Sequence, residues 1–534
     1  MKRTLVTAFI SIAGANVAGT FVGALMTPIL VRILGPSQYG TYATVMSVFA
    51  ILMIAVSSGV DSGTRKYLAE DRDRPNWRND VFGFYFRLAT VFALAASALL
   101  LVAVQIGLVD VYPGEEYAQF FFLLAIVTIM AQFREYTRRS LLGMKLEHLS
   151  EPLFVAQKVF FFVFAISFAY LGYGVSGVLM GHIIGDALVT VIGFIALAGH
   201  VSFSAVFERT PEDFPRRELL SFNNLSIVYI FLLTSLYHVD VLMLQAYTTE
   251  AQVGYYKAAL VLAEFLWLAP KAVQSVMIQS ASELWHHDEI ERITALASKA
   301  TRYTLLLTAL LAIGIAVLSA EFVPRYYGSE FEPTITPLLL LLPGTVGFAV
   351  ARPILSVSHA RGDMRIMILA TGGTATMNLL LNVALIPRFG IEGAAIATSL
   401  GYLCLPLFHL WGARAIGYNP LGDIRPIRIS ITVATTGVAL VALALGIDAL
   451  IGSPLATIGI PFVGITLPID AALLAFVLIP PGGLIVYALL ALQTRAVDPN
   501  EIADILSGMP DPLSRHANTI RRLFGDGDET RTRG

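Results

Sequence analysis

The sequence predicts an all-α integral membrane protein of about fourteen transmembrane helices, and three observations lead there. Its 534 residues are 56% hydrophobic and 14% charged, with a mean hydropathy of +0.71, far from the roughly 25% charged residues of a soluble domain. The apolar residues come in runs of roughly 20 to 30, the length an α-helix needs to cross about 30 Å of hydrocarbon with its backbone polar groups satisfied internally. Finally, short motifs recur at a nearly constant offset, which divides the runs into two equivalent six-helix lobes plus a C-terminal pair.

Each span is an apolar run closed by charge, Gly or Pro. The first, 5 to 33, follows Lys2-Arg3 and stops before Gly35-Pro36; the second, 40 to 60, stops at Asp61. Spans 81 to 108 and 117 to 141 are separated by Asp110, Glu115 and Glu116. Spans 152 to 172 and 175 to 199 flank Gly172 and Gly174, and a polar stretch then leads to 222 to 247 and 251 to 280. The remaining runs are 300 to 322, 333 to 357, 364 to 388, 391 to 414, 428 to 451 and 469 to 493. The N-terminus imitates a signal peptide, with Lys2-Arg3, Leu5 to Ile12 and Ala13-Gly14-Ala15, but the apolar run continues to Leu34, which favours a retained helix.

Lys and Arg fix the expected orientation, because cytoplasmic loops carry their excess. With the N-terminus inside, inner loops collect Arg65, Lys66, Arg72, Arg74 and Arg78, then Arg138, Arg139 and Lys145, then Arg209, Arg216 and Arg217. They continue with Arg292, Lys299, Arg361, Arg365, Arg414 and Arg425, whereas outer loops collect only Arg32, Arg325 and Arg388. Both termini are therefore expected in the cytoplasm, in a multi-pass protein of the cell membrane. A net charge of −2 gives no field for nucleic acid, and the single Cys404 excludes an intrachain disulfide.

Outside the spans, Glu283 to Lys299 has apolar residues at helical spacing and reads as a surface amphipathic helix or a solvated connector. The tail 494 to 534 mixes Pro, Asp and Arg, with a short helix expected through Ile520 to Phe524 and a disordered end.

The repeats are Gln38-Tyr-Gly40-Thr-Tyr42 against Gln252-Val-Gly254-Tyr-Tyr256, offset by 214, and Tyr173-Gly174-Val175-Ser-Gly177 against Phe389-Gly390-Ile391-Glu-Gly393, offset by 216. Each pair lies six spans apart, an even number, so the halves share orientation and an axis along the membrane normal. This gives an N-terminal lobe at 1–199, a linker at 200–221, a C-terminal lobe at 222–414, two further helices at 415–493 and the tail.

Polar residues inside spans are functional hypotheses, since an ionisable group at mid-bilayer costs roughly 2.5 to 3.5 kcal/mol on insertion scales. Asp240 lies in the outer part of the seventh span beside His238, where a helix end reaching headgroups is the structural alternative. Glu264 stands mid-span in the eighth, as a carboxyl able to exchange a proton or as a neutral acid bonded to a neighbouring helix. Thr374, Asn378 and Asn382 share one helix face and also suit interhelical hydrogen bonding. Asp186 in the sixth span has no assigned role, and His182, His238, His286 and His287 form no metal pattern. No Walker lysine motif is present.

Three segments carry a family resemblance: Leu34-Gly-Pro-Ser-Gln-Tyr-Gly40-Thr-Tyr42, Asp240 to Ala259, and Asn378 to Ala395. They resemble the polysaccharide-export (Wzx-type) flippases, of the superfamily that also holds the lipid II flippases and the multidrug and toxin extrusion transporters. The resemblance covers about residues 1 to 414. It implies two six-helix lobes around a central cavity, and a polyprenyl-phosphate or polyprenyl-pyrophosphate oligosaccharide turned from inner to outer leaflet by a monomeric secondary transporter among membrane lipids. It also implies that a coupling ion, Na⁺ or H⁺, is the one accessory and that no other cofactor is used. From the lipid II flippases it implies a sodium site at Asp240, Asn378, Asn382, the Ala394 carbonyl and Thr398, with Asn382 standing where that pattern has a second carboxylate. Arg134, Arg138, Lys257, Lys271 and Arg352, inside or near helix ends, are the expected phosphate ligands, with positive-inside anchoring as their plainer role. A cation-coupled drug exporter is the alternative. A polymerase or ligase fits poorly, because the longest outer loop, Ile451 to Pro468, carries no charge.

Overall fold

The computed structural model describes residues 5–112, 114–222, 224–450, 456–460, 465–507 and 519. In chain order the main helices are α1 (Leu5–Ala69), α2 (Trp77–Gln105), α3 (Glu116–Gly143), α4 (Glu147–Phe168), α5 (Gly174–Leu197), α6 (Arg216–Ser221), α7 (Asn224–Tyr247), α8 (Glu250–Glu264) and α9 (Leu268–His286). They continue with α10 (Ile290–Tyr327), α11 (Ile335–Arg361), α12 (Met364–Ala415), α13 (Pro426–Leu450), α14 (Ala471–Gln493) and α15 (Pro499–Ser507). A two-stranded antiparallel ladder, β1 (Ala456–Ile460) with β2 (Ile465–Ile469), lies where the sequence suggested only an uncharged loop. The short helix expected through Ile520 to Phe524 lies outside the described residues.

Among the described residues, eleven helical segments are long and apolar enough to cross a membrane, against the about fourteen separate runs read from the sequence. The difference has a physical cause. Three segments, of 56, 51 and 52 residues, run through glycine breaks that leave the helical hydrogen-bond pattern almost continuous. In α1 the break is Gly35, at φ 69° and ψ 174°, followed by Pro36, whose fixed φ suits a new helix start. Between α4 and α5 it is Gly172 and Gly174, and in α12 it is Gly390. Gly174 and Gly390 are repeat-related, and they share one backbone conformation: φ 50°, ψ −135° and φ 55°, ψ −128°. An L side chain rarely adopts that geometry. In α12 the halves on either side of Gly390 double back, since Asn378 donates to the Ala397 carbonyl at 3.4 Å.

The chain divides into two compact units, and all but one of their boundaries fall inside helices, the exception being Asp363/Met364 between α11 and α12. The first comprises Met1–Val261, Pro324–Leu341 and Met364–Gly401. One aromatic cluster, with Tyr67, Trp77, Phe82, Tyr85, Tyr136 and Phe214, closes one end of its helices. Arg72 pairs there with Glu218 at 2.6 Å and Arg74 with Asp213 at 2.6 Å. A second cluster packs Val45, Leu100, Tyr117, Phe121, Leu124 and Leu179.

The other unit comprises Leu262–Val323, Leu342–Asp363 and Tyr402–Gly534. Here α10, α13 and α14 pack through Leu306, Ile429 and Tyr487 and through Val317, Leu440 and Ile479. Their far faces leave Val438, Leu445 and Ile485 exposed, as lipid-facing residues are. The stretch read as either a surface amphipathic helix or a solvated connector, Glu283 to Lys299, forms no separate helix: it is the end of α9 and the start of α10, with Ile293 and Ala297 fully buried. Beyond α14, the short α15 is fastened by Glu501, which accepts from Arg302, from Tyr303 at 2.7 Å and from Lys299 at 3.2 Å.

Candidate functional site

Glycine spacing sets the first group of functional side chains. Gly177, Gly181 and Gly185 line one face of α5, and a Cβ on any of them would strike α4 or the turn that follows it, so the two helices meet backbone to backbone. Asp186, next in sequence, thereby reaches Gln157 of α4 at 2.9 Å and Arg134 of α3 at 3.1 Å. Arg134 also binds Glu135 at 2.8 Å. One turn on, Arg138 faces Glu151 at 3.3 Å, and Arg139 faces Glu135 at 3.4 Å and Asp61 at 3.8 Å. Arg134 and Arg138, two of the expected phosphate ligands, are thus each held by a carboxylate, and Asp186 acquires a role as counter-ion. In a low-dielectric interior such pairing is what makes the charges tolerable.

Lys158 is the residue sequence reasoning missed. It lies midway along α4, and among the described residues no carboxylate is within ion-pair distance of its ammonium; Arg134, of like sign, is within electrostatic range of it. Its stem lies at 3.0 Å from where a Cβ on Gly19 would be, so that glycine makes room for it on α1. The Phe154 ring has two cations near it, Lys158 at 5.5 Å and Arg138 at 4.5 Å. His182, by contrast, is a satisfied core residue, stacked on Phe161 and hydrogen-bonded to the Tyr42 hydroxyl at 3.0 Å.

A second group surrounds Asp240 of α7, which is 1% exposed. One carboxylate oxygen accepts from the Val241 N–H at 2.8 Å; the other accepts from the Tyr256 hydroxyl and from Thr398 at 3.1 Å. Thr398 and Tyr256 also touch each other at 3.1 Å. Asn382 donates to Asn378 at 3.1 Å, while Asn382 Oδ1 is buried without a hydrogen-bond partner. Ala394 is buried one turn before Thr398 on the same half of α12. All-oxygen surroundings with one orphaned acceptor suit a hard cation, but Tyr256, which sequence reasoning noticed only as part of a repeat, already occupies the carboxylate. Lys257 lies within electrostatic range of Asp240 and His238, so it belongs with this group rather than with Arg134.

The other unit holds the third group by itself. Helix α8 gives way to a 3₁₀ turn at Phe265–Trp267 directly after Glu264, and α9 resumes with Lys271 one turn further. Lys271 is exposed, 5.5 Å from the Trp267 ring, and Glu264 and Arg352 are its charged neighbours. Arg352 is buried over Phe348 at 4.4 Å and donates to Gln274 at 3.2 Å. Three of the expected site residues therefore converge.

The polysaccharide biosynthesis protein family matches residues 29–336. A relative from Haloferax volcanii, the probable low-salt glycan biosynthesis flippase Agl15, is 24% identical over 403 residues, covering 74% of this chain and 80% of its own. The probable flippase AglR of the same organism is 22% identical, covering 72% and 79%. Among solved structures, the lipid II flippase MurJ in an inward closed conformation superposes with a TM-score of 0.70 at 15% identity, covering 91% of this chain and 99% of its own. An inward-facing multidrug resistance MATE family transporter gives 0.64 at 14% identity, covering 74% and 94%. These likenesses in structure establish the fold of a multi-pass membrane protein.

Proposed function

The chain belongs to the polysaccharide biosynthesis protein family, and from that premise we propose that it is a flippase for a lipid-linked oligosaccharide. The observation that carries the reading is the family match over 29–336 together with relatives named as glycan flippases. Mid-span cations support it: an uncompensated ammonium such as Lys158 is costly in a bilayer unless an anionic substrate group arrives to pair with it, and a polyprenyl phosphate or pyrophosphate would do so. In the first unit Lys158 is the phosphate-binding residue of this reading, with Arg134 and Arg138 shaping the field around it; Lys271 with Arg352 is the candidate of the other unit, taken by itself.

Transport by alternating access would move repeat-related lobes, 1–199 and 222–414, with three glycine-broken segments counted as two passes each to make fourteen. The protein acts as a monomer in the cell membrane with both termini cytoplasmic. Asp240, Thr398, Asn378, Asn382 and the Ala394 carbonyl take up the coupling ion, Na⁺ or H⁺, and Glu264 is a second proton-exchanging group. A drug exporter is the competing reading, favoured by the MATE-like fold. Proteoliposomes given either a fluorescent polyprenyl-pyrophosphate sugar or a fluorescent organic cation separate the two. Movement of the sugar lipid alone supports the flippase, and uptake of the cation alone overturns it.

A further inference from the structure

A cavity of about 740 Å³ opens at one end of the first unit, within the roughly 300–1,000 Å³ typical of small-ligand sites. Its lining comes from four separate connections, the α1 break, the start of α3, the α4–α5 turn and the start of α8. All four are on the side that the Lys and Arg distribution assigns to the outside.

The chemistry of the wall is specific. Glu115, Glu116 and Glu250 supply three carboxylates, Gln38 supplies an amide and Tyr173 a ring that is 57% exposed; among the described residues no Lys or Arg lines the cavity. Glu250 is preset: Ser37 donates to one of its oxygens at 2.8 Å and Tyr117 to the other at 3.2 Å, which leaves further lone pairs for a ligand. Gln38 occupies space that glycine leaves open, its amide oxygen 2.8 Å from where a Cβ on Gly174 would sit. Fixed acceptors, amides and an exposed aromatic face match the hydroxyls and C–H face of a sugar ring. Three carboxylates without a counter-charge repel phosphate and uronate groups.

We propose that this cavity is a glycan subsite that holds the uncharged or amino-bearing sugar of the cargo on the outer side, apart from its phosphate. The proposal rests on the flippase reading and deepens it. It makes the outer end a selector against acidic glycans, with Glu250 and Gln38 as hydrogen-bonding groups and Tyr173 as the stacking platform.

The test uses the full chain in proteoliposomes, with Cys404→Ala and Gln119→Cys placing one thiol on the cavity wall. Labelling by a membrane-impermeant maleimide is timed with maltotriose, trigalacturonate or inorganic pyrophosphate present. Maltotriose is expected to slow labelling about threefold or more at saturating occupancy, the two anions to have no effect, and Tyr173→Ala to abolish the protection. Replacing Glu115, Glu116 and Glu250 by Gln should let trigalacturonate protect as well. Protection by none of the three, by all three equally, or undiminished in Tyr173→Ala overturns the subsite. If the Gln119→Cys protein still flips a lipid-linked sugar in that case, only the subsite has failed; if the unaltered chain flips no donor, the flippase reading has.

Discussion

Gly40 and Gly254, 214 residues apart and repeat-related, rest against each other's helix ends. A Cβ on Gly40 would fall 1.8 Å from the Glu250 carbonyl oxygen and 2.8 Å from the Gly254 nitrogen; one on Gly254 would fall 2.1 Å from the Pro36 carbonyl oxygen and 3.2 Å from the Gly40 nitrogen. The second half of α1 and the start of α8 therefore cross backbone on backbone, and the crossing is reciprocal. Gly40→Ala and Gly254→Ala should each cost about 1–3 kcal/mol, because the backbone cannot yield as a side chain would. Thermal unfolding in detergent reads the loss, and similar values for the two are expected.

Lys158 gives the sharpest separation of function from stability. Removing an uncompensated half-buried cation should leave the fold as stable or more so, whereas transport should suffer. Lys158→Gln is expected to lower the flipping rate by tenfold or more, on the order of the 1.4 kcal/mol a lost charge-assisted contact exceeds, with an unchanged or raised melting temperature. Lys158→Arg should keep part of the rate.

Arg134 and Asp186 should behave as a coupled pair. Asp186→Ala leaves a half-buried guanidinium with Glu135 as its remaining carboxylate and is expected to destabilise by about 1–3 kcal/mol. Arg134→Met combined with Asp186→Leu should recover much of that. A double-mutant cycle by chemical denaturation measures the coupling, and additivity would show that the pair does not interact.

Tyr256 and Asp240 set the ion response. Asp240→Asn should abolish the dependence of flipping on a sodium gradient and weaken its dependence on a proton gradient, the remainder resting on Glu264. Tyr256→Phe, which removes the hydroxyl competing for the carboxylate, should lower the ion concentration giving half-maximal rate. Flipping rates across imposed gradients check both, and a gradient dependence undiminished in Asp240→Asn removes that residue from coupling.

Much of this was legible in the sequence because bilayer thickness imposes a run length that survives any tertiary detail. The repeat was legible for a similar reason: Gly174 and Gly390 occupy a conformation closed to other residues, so the same letter must recur at both places. Asp240 and Thr398 could be joined from motif resemblance alone. Illegible were the partners. Nothing local in Arg134 announces Asp186, 52 residues on, and the lone character of Lys158 exists only once α3, α4 and α1 have packed. Tyr256 was visible as a repeat letter but not as the donor that holds Asp240, since the contact closes across two helices. The 3₁₀ turn after Glu264 also left no mark, because Phe265-Leu-Trp267 reads as uninterrupted helix.

The most direct measurement is leaflet exchange itself. A fluorescent polyprenyl-pyrophosphate oligosaccharide is built into proteoliposomes, and the fraction bleached by an impermeant reductant is followed in time. The protein is expected to speed exchange of this lipid over a phospholipid carrying the same dye, with the acceleration lost in the Lys158→Gln, Lys271→Gln double variant. No protein-dependent exchange of any lipid-linked glycan, or equal exchange of the plain phospholipid, would contradict it.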